Sequence, residues 1–105
     1  MIIRPETAAD HDAIRKVNDE AFGSSIEAEL VDAIRASDRF LSELSLVAVS
    51  EGQTCGHVIS SYVDVEPGAR RVLQVGPPAV LPSHQRRGIG SALMKGNDPD
   101  RRRAR

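Results

Sequence analysis

Gln85-Arg86-Arg87-Gly88-Ile89-Gly90-Ser91 is the stretch whose residue types and spacing suit a definite chemistry, the holding of a phosphate. It follows an apolar run, Ala79-Val80-Leu81-Pro82, and leads into Ala92-Leu93-Met94, which opens a helix-like segment. Strand, short turn and helix start, in that order, set a row of backbone N–H groups at a helix N-terminus. Those first N–H groups lack intrahelical acceptors, and the helix dipole favours negative charge beside them. Gly88 and Gly90 let the backbone approach a ligand with no Cβ in the way. Arg86 and Arg87 can add charge-assisted hydrogen bonds to phosphate. The plainer alternative is a ligand-free turn into a helix, and a bare Gly-x-Gly does not separate the two.

The remaining reactive side chains favour ordinary structural roles. His84 reads as a solvated turn histidine, His57 as a satisfied sheet histidine beside Gly56, and His11 as a solvent-facing residue of a first helical turn. Cys55 reads as a small buried hydrophobe with no flanking cation to activate its thiol. Tyr62 reads as a core or edge-strand residue. No metal site is expected.

The elements that would position the loop follow from turn and cap signals. Met1-Ile2-Ile3-Arg4 reads as a short strand stopped by Pro5. Thr7 with Asp10 is a capping-box variant, and a helix then runs to about Phe22 with Ile14, Val17 and Ala21 on one face. Gly23 stops it. Ser24 and Glu27 read as a second capping box, opening a helix to about Ala36 whose apolar face is Ile26, Leu30, Ala33 and Ile34. Leu44 to Ser50 is strand-like, Glu51-Gly52 a tight turn, and Gln53 to Val65 its antiparallel partner. Glu66-Pro67-Gly68 is another turn. Arg71 to Leu81 reads as a fourth strand broken at Gly76-Pro77-Pro78, where two prolines demand a bulge or splay.

The order of strand, Gln/Arg-x-x-Gly-x-Gly and helix resembles the acetyl-coenzyme-A pyrophosphate loop of the GNAT superfamily of N-acyltransferases. Val80-Leu81-Pro82-Ser83-His84-Gln85 sits in the usual place before that loop, and Ile2-Ile3-Arg4-Pro5-Glu6-Thr7 looks like the family's first strand and turn. The resemblance implies an α/β (α+β) GNAT-type acyl-CoA N-acyltransferase fold, a mostly antiparallel sheet with helices on both faces. It implies acetyl transfer from acetyl-CoA, a cosubstrate, to a primary amine by direct attack in a ternary complex. Gln85, Arg86, Arg87, Gly88, Ile89 and Gly90 would then cradle the pyrophosphate, with Ser91 beside it at the helix start. Pro78, Ala79 and Val80 would present main-chain groups to the pantetheine arm, although Pro78 has no N–H to give. Many members use a fourth-strand carboxylate as base and a later Tyr as acid. Here the fourth strand offers Gln74, which cannot take a proton, and Asp64 and Glu66 gain no assigned role. The catalytic residues stay unknown, and the acceptor amine is not specified.

The resemblance ends near Met94. Lys95 to Arg105 contains Gly, Asn and Pro breakers and no apolar residue except Ala104. The expected organisation is therefore a partial acetyltransferase domain over 1–94 and a basic unstructured tail over 95–105. This predicts an incomplete domain with impaired activity, or a catalytically dead remnant that at most binds CoA. The exposed edge of the fourth strand, with Val72 and Leu73, would offer a route to self-association or a homodimer.

Composition excludes several classes. Residues 1–94 carry nine Lys or Arg against thirteen Asp or Glu, a net −4; residues 95–105 carry five against two, a net +3. An acidic body with a basic tail is not the profile of a nucleic-acid binder, which carries its charge on a folded face. No apolar run approaches the ~20 residues of a membrane span, and Arg4, Glu6, Asp10 and Asp12 interrupt any signal-peptide core. A single Cys precludes an internal disulfide. A cytoplasmic protein with no nucleic-acid or membrane partner is expected.

Overall fold

The computed structural model describes residues 1–38, 40–66 and 70–97, with the backbone alone for 63–66 and 70–73. The turn expected at Glu66-Pro67-Gly68, the side chains of Asp64, Glu66, Val72 and Leu73, and the arginine tail lie outside what is described.

Five strands form one antiparallel sheet. β1 (Ile2–Pro5) pairs with β2 (Ser45–Ser50), and β2 with β3 (Gln53–Glu66). Glu51 and Gly52 join β2 to β3 with φ of 51° and 77°, the left-handed pair that a tight two-residue hairpin requires. β3 is long enough to take two further partners in tandem. Its second half pairs with β4 (Arg70–Val75), and Gly56 and His57 pair with β5 (Ala79–Val80). The break expected at Gly76-Pro77-Pro78 falls between them. Gly76 donates its N–H to Ile59 O at 2.9 Å, and beyond the break Leu81 donates its N–H to Cys55 O, again at 2.9 Å. Pro77 and Pro78 have no N–H to fill the gap, so the strand splays there.

α1 (His11–Phe22) is entered through a 3-10 turn at Ala8–Asp10. Thr7 donates both its N–H (2.7 Å) and its hydroxyl (3.1 Å) to Asp10 Oδ2, so the expected box forms. Arg4 closes on both oxygens of the same carboxylate, at 2.7 and 3.0 Å. This guanidinium holds the Asp10 carboxyl well below the usual carboxylate range. Gly23 ends α1 at φ 72°, its N–H on Asp19 O.

α2 (Ile26–Arg35) differs from expectation in two ways. Its N-cap is Ser25, and the Ser24 hydroxyl reaches the Glu27 carboxylate (3.2 Å) instead of a backbone N–H. The buried row is Ala28 and Val31 with Ile34 half-buried, while Ile26 and Leu30 are 68% and 59% exposed. α2 carries two apolar rows. Val31 of the inward row packs with Ile14, Val47 and Ile59, and Arg15–Asp32 and Arg35–Glu6 ion pairs accompany that orientation.

α3 (Ile89–Gly96) lies on the opposite face of the sheet from α1 and α2. A Cβ on Gly56 would stand 3.0 Å from Ile89 Cγ2 and from Leu93 Cδ1, whereas the neighbouring His57 reaches Asn18 of α1. Helices therefore cover both faces, as expected. The core is aliphatic, built on Val17, Leu46, Ala48, Val58, Ala79, Leu81, Ile89 and Leu93. α3 runs two residues past the boundary expected at Met94. Asn97 at its end is fully buried, its amide donating to Leu44 O and Ser60 Oγ. Read from sequence as a helix breaker, Asn97 is a buried C-terminal anchor.

Candidate functional site

β5, a 3-10 turn at Pro82–His84, and α3 hold the Gln85–Gly90 loop between two rigid elements. Arg86 sits at φ 67° and Gly88 at φ 79°, with Arg87 between them outside the left-handed region. A non-glycine residue at φ 67° is uncommon. Where left- and right-handed residues alternate, successive N–H groups turn to one side and can cradle an anion. The first α3 bond after the loop runs from Ala92 N–H to Gly88 O (3.0 Å). The N–H groups of Ile89, Gly90 and Ser91 precede it and have no acceptor within the helix.

The expected site residues divide by exposure. Gln85, Arg86, Arg87, Gly88 and Ser91 are exposed; Pro78, Val80 and Gly90 are half-buried; Ala79 and Ile89 are buried. Ala79 and Ile89 can therefore offer a ligand only their main chain. Gln85 donates its side-chain amide to Val80 O at 3.1 Å, strapping the loop to β5. A Cβ on Gly88 would meet nothing within 4 Å, and one on Gly90 would stand 3.5 Å from Pro78 Cγ. The loop mouth is thus open at Gly88, while Gly90 packs against the splay. His84 stays in the turn, its Nδ1 2.8 Å from Ser83 Oγ.

A cavity of about 440 Å³ lies on the other side of the splay. α1 and α2 form one wall, and β3, β4 and the Gly76-Pro77 turn form the other. Pro77 lines it, and the next residue, Pro78, faces the position a Cβ on Gly90 would take, so the two regions adjoin at the splay.

A third polar region is closed. His57 is 1% exposed, with Asn18 Nδ2 at 3.2 Å from Nδ1 and Ser45 Oγ at 2.9 Å from Nε2. Asn18 donates to Nδ1, so Nε2 carries the proton and donates to Ser45, whose hydroxyl donates to Glu6. Glu6 also accepts from Arg35 at 3.1 and 3.2 Å, and His11 Nε2 lies 3.1 Å from it. His11 is therefore paired as well as half exposed. Burial lowers the His57 pKa to about 4 and keeps the ring neutral. The serine here is oriented toward a carboxylate and away from solvent, which is an internal strut and not a nucleophile. Cys55 is fully buried, its thiol pKa raised by that burial.

The sequence model of the acetyltransferase (GNAT) family matches residues 11–96. The chain belongs to this family. It is 33% identical over 89 residues, 83% of its length, to the uncharacterized N-acetyltransferase YjhQ of Escherichia coli K12. It spans about half, 49%, of that curated relative. A GNAT acetyltransferase from Brucella melitensis, solved with acetyl-CoA, superposes with a TM-score of 0.87 at 36% identity, covering 98% of this chain and 69% of that one. The GNAT N-acetyltransferase YhbS of Escherichia coli, solved with CoA, gives 0.79 at 31%, covering 90% and 52%. The GNAT fold read from the loop and the upstream order is the fold observed. Among the described residues no helix is long and apolar enough to cross a membrane.

Sequence reasoning missed the cavity and the Glu6–Ser45–His57–Asn18 block. No local signal marks either, because their residues come together only across α1, α2 and the sheet. Gly56 gave a weak signal, a glycine inside a β-rich run, which often marks a close backbone approach.

Proposed function

We propose that this GNAT chain binds acetyl-CoA as cosubstrate and serves N-acetylation of a primary amine in the cytoplasm. The observation that carries this is the Gln85–Ser91 backbone, with φ of 67° at Arg86 and 79° at Gly88 ahead of three unpaired helix N–H groups. Such a backbone suits a pyrophosphate, and Arg86 and Arg87 stand exposed beside it. The two GNAT relatives solved with acetyl-CoA or CoA support the same ligand. Bound acetyl-CoA supplies an activated acetyl group as its thioester. The chain's part is positioning: the loop would grip the phosphates, and Ala79 and Val80 would align the pantetheine arm. The splay at Pro77-Pro78 gives an amine in the cavity access to the carbonyl carbon. Loss of thiolate and of the amine proton completes the exchange.

Gln74, standing on β4 where the family resemblance would seek a carboxylate base, favours a second reading, CoA binding without turnover, because its amide cannot accept the amine proton. β4 pairs with β3 alone among the described strands, and its other edge is where two copies would join. Incubating the chain with acetyl-CoA and a panel of primary amines, and following thiol release, separates the two readings. Release above the amine-free background supports transfer. CoA binding with no release supports the second reading. Size-exclusion with light scattering reports the dimer.

A further inference from the structure

We infer that the cavity between α2 and the β3–β4 face is the acceptor pocket, and that its amine rides on an apolar body bearing a single positive charge. The inference rests on the acetyl-transfer reading above, and it names a substrate class that the reading leaves open. The walls are mainly hydrocarbon: Phe22, Leu30, Val31, Ile34, Ile59 and Pro77. A volume of about 440 Å³ lies within the range of small-molecule sites, roughly 300–1,000 Å³.

The polar lining is sparse and almost neutral. Among the described residues Glu27 is the one carboxylate on the wall, at the start of α2. Ser61, Tyr62 and Gln74 add neutral groups. Asn18 spends both amide hydrogens on Ile14 O and His57 Nδ1, so it offers a ligand only its oxygen. One carboxylate can neutralise one ammonium. A second or third cation would lie against hydrocarbon without a counter-charge, which is strongly unfavourable. The pocket therefore suits an arylalkyl or alkyl amine and disfavours a polyamine.

Binding to the purified chain without CoA tests this, with 2-phenylethylamine, 2-phenylethanol and spermine as probes. Calorimetry and methyl NMR would give the affinities and the contacts. The expected result is saturable binding of 2-phenylethylamine that shifts the methyl signals of Val31, Ile34 and Ile59. Glu27→Gln should weaken it by about tenfold, the loss of one charge-assisted contact. Ala33→Phe should abolish it by filling the space. Position 33 is exposed on α2, so that variant keeps the core intact. Equal or tighter binding of spermine, binding of the neutral alcohol as tight as the amine, or indifference to both substitutions would overturn the inference. CoA is titrated separately into the same sample. Amine binding without CoA binding would leave the pocket's chemistry standing and sink the acetyl-transfer reading; CoA binding without amine binding does the reverse.

Discussion

At Glu6, Ser45, His57 and Asn18 the polar atoms face one another; at Gln85 to Ser91 the first N–H groups of α3 have no acceptor within the helix. The first region satisfies its hydrogen-bonding groups internally, across β1, α1, β2 and β3. Its cost of disruption is high, because a buried group that loses its partner keeps its desolvation penalty. The second region leaves donors unpaired and a non-glycine residue at φ 67°. Backbone held in such a sparsely populated conformation costs about 1–3 kcal/mol and persists only where the surroundings enforce it. The Gln85 side-chain amide on Val80 O ties the loop down beside that residue. One region thus serves the fold through side-chain identity, and the other is proposed to serve a ligand through backbone shape.

Substitutions should separate the two regions. The largest effect is expected from Glu6→Ala. It leaves Arg35, whose side chain is 16% exposed, without its main counter-charge, and should cost about 3–5 kcal/mol in a denaturant melt. CoA affinity of the fraction that folds should hold. A loss below ~1 kcal/mol would mean the closed region is not a strut.

Acid should act through His57 in the same direction. Its folded pKa of about 4 lies below the ordinary 6.5, so the unfolded chain binds the proton first. Stability should therefore fall as pH drops from 6.5 to about 4, by up to about 3 kcal/mol. The Asp10 carboxyl is depressed, so its contribution is lost only at lower pH. Urea midpoints measured across this range test the slope, and a His57→Gln variant should flatten it.

Gly56→Ala probes where the regions meet. The new methyl would sit 3.0 Å from Ile89 and Leu93, forcing α3 away from β3. Overpacking of this kind costs about 1–3 kcal/mol. It should also weaken CoA binding, because α3 carries the loop. Stability loss with intact CoA affinity would show that the loop geometry is set independently of the helix. Arg86→Ala should have the smallest effect on the fold, within ~0.5 kcal/mol. It should still weaken CoA about tenfold by removing a charged hydrogen bond.

The legible parts of this chain are those whose signals are local. Thr7 with Asp10, Gly23, the Glu51-Gly52 turn and the Gly76-Pro77-Pro78 break each state their conformation within a few residues, and all four formed. The short turn from Pro82 into α3 was legible for the same reason. α2 was misread because it carries two apolar rows, and the residues that bury Val31 of one of them, Ile14, Val47 and Ile59, are distant in sequence. Asn97 does end α3, but its burial was not legible because its partner Leu44 lies 53 positions away. His57 was read as satisfied, which it is, but its partners Asn18 and Ser45 could not be named from sequence.

The central claim is that the Gln85–Ser91 backbone is a pyrophosphate site. Amide hydrogen exchange with and without CoA tests it most directly, residue by residue. CoA is expected to slow exchange at Gly88, Ile89, Gly90 and Ser91. Gly88→Glu and Gly90→Glu are expected to remove this protection by setting a carboxylate among the phosphates. Exchange unchanged by CoA at those four amides, with equal CoA affinity in both variants, would contradict the claim.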